Sequence, residues 1–523
     1  MSVMNDIVQR IFADFADREA LVGPDGRWTY RDLGNRTNRT ARALLESGLQ
    51  KGDRIALYLR NCNAWMSTEM GCLAIGVGVV PANQRFNAQE TLWVLDNCEA
   101  QAVIFSPNEA ATIAEVREAR PSLKFLCVDT RGEACPEWAF DLDAAIARAN
   151  DQPVDMDVAD DALARIMYTS ATTGLPKGVV ISHDHWRNNK LHLLINVFNT
   201  VDSSDAYLAA TPLTHMAGGW AWTTLLKGGK SVILEKWDVD NFSQICEDEG
   251  VTLLMMAPTI FVGLLQHLEA HPDQLEQIRR LKFKKIMYGA SPMPEAVSKK
   301  VEDLFGPIMN QFYGFTENIG NGLGMTVCGL PADWHDRKRT SCGRPQLNTS
   351  VRVVDDDGID VPVGTPGEVV TRMWRPGGIW KNEEATKELL RGGWVHSGDI
   401  GVFDADGFLS LVDRKNYMII SGGLNVYPME IENVMYGFAG ISECAVVGAP
   451  HEKWIETPVA FYTTEPGADV DPQALREYLR NQLAHYKVPS DYVEMAELPK
   501  SSYGKILKRE LKTMYAQKEQ AVS

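Results

Sequence analysis

Short, unbroken apolar runs recur through the first half of the chain, at Arg54–Leu59, Gln101–Phe105, Lys124–Val128, Ser231–Leu234 and Thr252–Met256, with helix-length stretches between them. A strand that is apolar on both faces must be covered on both, which demands helices packed over a buried sheet. This rhythm predicts an α/β fold with a large N-terminal domain of mixed sheets flanked by helices. The first helix is marked at both ends. Thr29 and Asp32 form a capping-box pattern with Asp in place of Glu, Leu33, Ala41, Leu44 and Leu45 share a face, and Gly48 stands where the chain must turn left-handed.

The last hundred or so residues differ in texture. Pro428–Met435 predicts a short helix, Cys444–Val447 and Val459–Thr463 two short strands, and Asp471-Pro472 the start of a helix carrying Leu475, Leu479 and Leu483. These segments predict a small α+β C-terminal domain over residues 417–523, joined by a polar hinge at 414–416 to a main body of residues 1–413. The polar tail from about Ala516 is expected to fray.

Fifty-two Lys and Arg against sixty-nine Asp and Glu leave a net charge of −17, which argues against a nucleic-acid partner. The nine cysteines are scattered and contain no Cys-x-x-Cys pair, as expected of reduced thiols rather than a disulfide or zinc scaffold. The first twenty residues lack the apolar core of a signal peptide, and the most apolar stretch, Gly71–Ala82, is too short to span a bilayer. A soluble cytoplasmic protein without an integral membrane segment is the expectation.

The segment Tyr168–Gly178 concentrates chemistry. Thr169, Ser170, Thr172, Thr173, Gly174 and Lys177 crowd a loop that follows a strand-like run, and Ala171 lies among them. Hydroxyls and backbone N–H groups in such a loop can cradle phosphate oxygens, with the lysine as a mobile cation. The Walker A order is absent, and a polar surface loop has the same composition. Further segments follow in order: Tyr313-Gly-Phe-Thr316-Glu317, Gly393–Asp399, Asp413-Arg414-Lys415, Ser421-Gly422-Gly423 and Leu498–Lys505. Taken singly, Tyr313 is equally an ordinary core residue, Glu317 and Asp399 solvated acids, Lys505 a surface lysine and Gly422-Gly423 a simple turn.

As an ordered set these segments resemble the adenylate-forming superfamily of acyl-CoA synthetases, luciferases and peptide-synthetase adenylation domains, over nearly the whole chain. The resemblance implies that Thr169–Lys177 wraps the β- and γ-phosphates of ATP and that Gly289, Ala290 and Ser291 flank adenine, with Tyr313 stacked on the purine. Thr316 would touch the α-phosphate and Glu317 would help hold Mg²⁺. Asp399 and Arg414 would bind the ribose, and Lys505 would bridge the substrate carboxylate and the α-phosphate. It also implies a mobile C-terminal domain that withdraws Lys505 after adenylation and opens a pantetheine tunnel lined by Gly422 and Gly423. Two positions depart from the family pattern: Ala171 where glycine is usual, and Asn416 where Asp or Lys is usual.

The activity implied is an AMP-forming acid–CoA ligase: a carboxylic acid is joined to AMP with loss of pyrophosphate, then transferred to coenzyme A. His215 resembles the histidine at the mouth of the family's acyl site. Ala217, Gly218 and Gly219 would leave volume there, and Trp220 and Trp222 are either its wall or core. No obvious cation faces a second carboxylate, which points to a medium-chain fatty, alicyclic or aromatic monocarboxylic acid and to lipid or fatty-acid metabolism. Alternatives are a carrier-protein acceptor, against which stands the lack of an appended carrier domain, a luciferase-like oxygenase, and a non-catalytic ATP-binding relative. The oligomeric state is left open, with a homodimer among the possibilities.

Overall fold

The computed structural model describes residues 3–82, 86–129, 131–169, 176–289, 293–321, 325–327, 338–339, 341–347, 349–372, 377–451, 453–500 and 506–522. Two largely parallel sheets form the main body. One runs in the order Phe140–Asp141, Lys124–Cys127, Ala102–Phe105, Arg54–Tyr58, Gly78–Pro81, Leu163–Thr169, Lys177–Ser182. The other runs Met325–Val327, Met309–Tyr313, Lys285–Tyr288, Leu253–Met256, Ala206–Ala209, Lys230–Ile233, Glu19–Gly23, Gly26–Thr29. The five apolar runs read from sequence are all strands of these sheets. The capping box at Thr29 also forms, the Thr29 N–H donating to Asp32 Oδ2 at 2.9 Å and the Asp32 N–H to Thr29 Oγ1 at 3.1 Å.

One core cluster draws side chains from both sheets and from the helices Asn63–Ala74, His183–Asn196 and Met216–Leu226. Every residue of Asn63–Ala74 is buried, which explains why this helix shows no amphipathic pattern. It carries a charge into the interior: Glu69 ion-pairs with Arg165 of the strand Leu163–Thr169 and accepts a 2.7 Å hydrogen bond from Trp222 Nε1. Among the described residues no helix is long and apolar enough to cross a membrane.

A third, antiparallel sheet follows, in the order Ser341–Gly343, Leu409–Arg414, Val395–Phe403, Gly367–Arg372, Ser350–Val354. The C-terminal sheet then pairs Leu424–Val426, Ile419–Ser421, Ile455–Thr464 and Ile441–His451, with Asp491–Glu494 parallel to Ile455–Thr464. The two long strands extend well beyond the apolar segments read from sequence. The helices Pro428–Met435 and Pro472–Gln482 stand where expected, with Leu475 and Leu479 buried. The expectation of a frayed tail is corrected, because the helix Lys508–Val522 runs through Ala516. Leu511 and Tyr515, one turn apart, bury themselves against the C-terminal sheet and anchor it.

Removing one partner of a buried ion pair strands the other charge in the core. Glu69→Ala should therefore lower stability by about 3–5 kcal/mol, read as a large fall in thermal midpoint; a shift within a degree or two of wild type would contradict a dry, paired Glu69.

Candidate active site

The strands Leu163–Thr169 and Lys177–Ser182 pair antiparallel with Thr169 opposite Lys177, at the two ends of the hydroxyl-rich segment. Ser170, Ala171, Thr172, Thr173 and Gly174 lie outside the described residues, as do Ala290, Ser291 and Lys505. Lys177 is exposed at the hairpin's base. Gly289 ends the strand Lys285–Tyr288, where a Cβ would fall 2.5 Å from the Phe312 carbonyl oxygen; only glycine lets the neighbouring strand come that close.

Phe312 and Tyr313 end that neighbouring strand and point to opposite faces. Phe312 packs on Trp220 in the core, whereas Tyr313 turns toward the third sheet and donates its hydroxyl to Asp399 Oδ2 at 2.6 Å. Asp399 lies directly across from Arg414 in the register of the third sheet, and Arg414 Nε meets Asp399 Oδ1 at 2.8 Å. Gly398, at φ +69°, supplies the left-handed turn that aims Asp399 inward, and Ser397 Oγ accepts the Asp399 N–H at 3.0 Å.

Thr316 and Glu317 begin the six-residue 3₁₀ segment Thr316–Asn321, just after the Tyr313 strand. Burial raises the Glu317 carboxyl above its usual range; the charges of Arg414 and Lys177 oppose this and Asp399 adds to it. Residues from four distant segments, Lys177, Glu317, Asp399 and Arg414, thus share one electrostatic field. Burial and the adjoining Asp399 carboxylate likewise push the Tyr313 phenol well up.

His215 precedes the helix Met216–Leu226, with Nδ1 3.1 Å from Thr214 Oγ1. Burial and the Arg165 charge lower its pKa to about 4, so the imidazole is neutral near pH 7. Ala217, Gly218 and Gly219 are buried on the first turn of that helix. The two glycines have different reasons. A Cβ on Gly218 would strike the Leu213 carbonyl oxygen at 2.1 Å, so its bareness serves backbone packing. A Cβ on Gly219 would meet, among the described residues, Lys190 Nζ at 3.3 Å. Trp220 and Trp222 are both core residues.

Lys190, a buried cation beside Gly219, is a residue that sequence reading missed. It is 2 % exposed, donates to Gly219 O and Asn189 Oδ1 at 3.2 Å each, and sits 3.8 Å from the Trp186 ring centroid. Its signal in the sequence was faint: a lysine in a helix is ordinarily a solvated one.

In the small domain, Gly422 and Gly423, at φ +59° and +84°, form the two-residue turn of the hairpin Ile419–Ser421 / Leu424–Val426. A Cβ on Gly422 would lie 2.8 Å from the Trp454 ring. Asp413 links the two parts of the chain: Oδ1 accepts the Arg414 N–H at 2.7 Å and Oδ2 the Met429 N–H at 2.9 Å. Asn416 is exposed on the short turn Lys415–Tyr417. The ends of the Lys505 segment are held by the bridge Lys500↔Ile506 and by the Leu507 N–H on Pro499 O at 2.8 Å.

Among the described residues, the one trio with close-set metal-ligand atoms is Asp25, Cys62 and Asp129, away from this site. There Asp25 is already engaged, accepting the Asn63 and Ala64 N–H groups at 2.8 Å and so capping a helix.

The architecture is a layered α/β body whose strand ends bring together Tyr313, Asp399, Arg414 and the buried Glu317, with a smaller C-terminal sheet domain attached. Comparison with known proteins identifies the family. The AMP-binding enzyme family model matches residues 8–373 and its C-terminal domain model residues 430–505. Feruloyl-CoA synthase of Amycolatopsis sp is 34% identical over 492 residues, covering 93% of this chain and 94% of that protein. The fatty acid–[acyl-carrier-protein] ligase ScoC of Streptomyces coeruleorubidus is 31% identical over 495 residues, covering 93% and 91%. The crystal structure of ATP-bound MatB from Rhodopseudomonas palustris superposes with a TM-score of 0.86 at 26% identity, covering 98% of this chain and 99% of that one. The chain belongs to the AMP-binding enzyme family of the adenylate-forming superfamily, and it is an enzyme of the acid–thiol ligase class.

The raised carboxyl of Glu317 has a consequence for stability. The folded protein keeps a proton on Glu317 at pH values where the unfolded chain has lost it, so this contribution to stability fades as pH rises through the folded pKa. Relative to wild type, the melting temperature of Glu317→Gln should rise progressively as pH is raised above the ordinary glutamate pKa of about 4.3. A gap in melting temperature that does not change with pH would contradict a buried, raised Glu317.

Proposed function

We propose that this protein is an ATP-dependent carboxylic acid–CoA ligase whose substrate is a medium-chain fatty, alicyclic or aromatic monocarboxylic acid. The observation that carries the reading is the convergence of Tyr313, Asp399 and Arg414 beside Glu317, with Lys177 in the same electrostatic field. A carboxylate oxygen attacks the α-phosphorus of ATP in line, pyrophosphate leaves, and the acyl-AMP formed passes its acyl group to the thiol of coenzyme A with release of AMP. Both reactants of the first step are anions, so the site must supply positive charge and donors at fixed positions.

Asp399 and Arg414 hold the ribose in this scheme, with Asp399 retaining acceptor capacity beyond the two bonds it makes. Tyr313 and Gly289-Ala290-Ser291 frame the adenine, and Thr316 meets the α-phosphate. Thr169–Lys177 positions the departing pyrophosphate. Glu317 offers the hard carboxylate oxygen that suits magnesium, which neutralises phosphate charge when bound. Lys505 bridges the substrate carboxylate and the α-phosphate. Residues 414–416 act as the hinge between a body of residues 1–413 and a mobile domain of residues 417–523. The Gly422-Gly423 turn lines the thiol's path in the second step. His215, neutral at physiological pH, borders the acyl site without adding charge there.

Acid-dependent exchange of labelled pyrophosphate into ATP, in the absence of CoA, tests the first half-reaction. Exchange is expected with at least one acid of a broad panel, followed by AMP and thioester on adding CoA; no exchange with any acid would favour a non-catalytic ATP-binding protein. Lys505→Ala should slow adenylation by about 10²–10³ yet spare thioester formation from supplied acyl-AMP, and equal losses in both steps would refute that division. Ala171→Gly should change mainly the Michaelis constant for ATP, whereas an effect confined to acid selectivity would show that the hairpin does not serve the nucleotide.

A further inference from the structure

In the interior between the two large sheets, several buried hydrogen-bond donors gather around Lys190. Glu69 is paired with Arg165 and takes a bond from Trp222, which uses both of its oxygens. Among the described residues no carboxylate lies within ion-pair reach of Lys190 Nζ. Its acceptors are one amide oxygen and one helix carbonyl, both at 3.2 Å, for three N–H groups. The Trp186 ring lies between Lys190 Nζ at 3.8 Å and the Arg165 guanidinium at 4.0 Å. The indole N–H groups of Trp186 and Trp220 are buried, with no acceptor among the described residues. An unmet buried donor is costly, and a second cation beside Arg165 costs more. Burial and the Arg165 charge accordingly push the Lys190 ammonium well down.

This donor-rich nest is not remote from the chemistry. Lys190 lies on the helix His183–Asn196, which packs against the turn carrying Thr316 and Glu317. Arg165 lies on the strand that leads into the hydroxyl hairpin. Lys190 Nζ bonds to the carbonyl of Gly219, four residues from His215, and faces the position where Gly219 has no side chain. Trp220, the next residue, touches Phe312, whose strand neighbour Tyr313 holds Asp399.

We propose that Lys190 is a specificity-determining residue: it donates a hydrogen bond to an acceptor oxygen at the far end of the acyl group, a hydroxyl or carboxylate remote from the carboxylate that is activated. The ligand's oxygen supplies the acceptor that the nest lacks, and glycine at 219 leaves Lys190 Nζ clear of a side chain there. This rests on the acid–CoA ligase reading above and refines its substrate to an acid with a second oxygen at its far end, either a hydroxyl on a monocarboxylic acid or a second carboxylate that would replace the monocarboxylic class.

The test compares kcat/KM for two matched pairs on the full-length enzyme, cinnamate against 4-hydroxycinnamate and octanoate against octanedioate, scored by acid-dependent AMP release. At least one oxygen-bearing member should exceed its parent by about tenfold or more, the range expected for a hydrogen bond to a charged or strongly polar group. A gain in the first pair identifies a hydroxyl as the ligand, and a gain in the second a carboxylate. Lys190→Met, checked for folding by thermal denaturation, should bring that ratio to near one, because a merely structural lysine would slow both members alike and leave the ratio unchanged. The proposal is overturned if neither pair shows a gain in wild type, a result that needs no variant, or if the ratio survives in Lys190→Met. AMP release with none of the four acids nor with a broad panel would instead defeat the ligase reading itself.

Discussion

Asp399 is the joint on which the candidate site turns. Its two oxygens take a phenol from the end of one large sheet and a guanidinium from the strand beside it in the third sheet, at 2.6 and 2.8 Å. Arg414 follows Asp413 directly, and Asp413 caps the first helix of the small domain through the Met429 N–H. A single buried acid therefore couples the end of the Met309–Tyr313 strand to the segment from which the small domain is hung. A charge-assisted pair of this kind is short and geometrically demanding, with the Asp399 end buried and the Arg414 end partly open to solvent.

The core behind that joint is unusual in carrying charge where two sheets and three helices could have met as hydrocarbon. Glu69 and Arg165 are matched, so each compensates the other's loss of water. Lys190 is not matched, and aromatic faces, an amide and a helix carbonyl are weak substitutes for a counter-ion. Replacing a buried charge by a well-packed hydrophobic residue is often neutral or stabilising, and Lys190 sits beside Gly219 of the helix that follows His215.

Much of this architecture was legible in the sequence, because its strands are apolar on both faces and its helix ends carry caps. Thr29, Gly48 and Asp471 mark termini by local chemistry alone, and the structure places each terminus there. The Trp220–Trp222 pair stayed ambiguous, since an aromatic wall and an aromatic core have the same composition. The approach of Tyr313 to Asp399 joins residues 86 positions apart, and no local pattern encodes it; the ordered motifs indicated only that they belong to one site. Lys190 was invisible for a different reason. Helical periodicity sorts residues by polarity, and a buried lysine violates that sorting. Gly218 and Gly219 looked equivalent, yet one yields to a backbone carbonyl and the other to a side chain from another helix.

The central claim is that the substrate's own carboxylate attacks the α-phosphorus of ATP. Supplying an acid labelled with ¹⁸O in its carboxyl group, together with ATP, magnesium and coenzyme A, follows that oxygen directly. The account predicts AMP carrying one labelled oxygen and unlabelled pyrophosphate. Unlabelled AMP, or ADP with labelled orthophosphate, would place the attack elsewhere and contradict it.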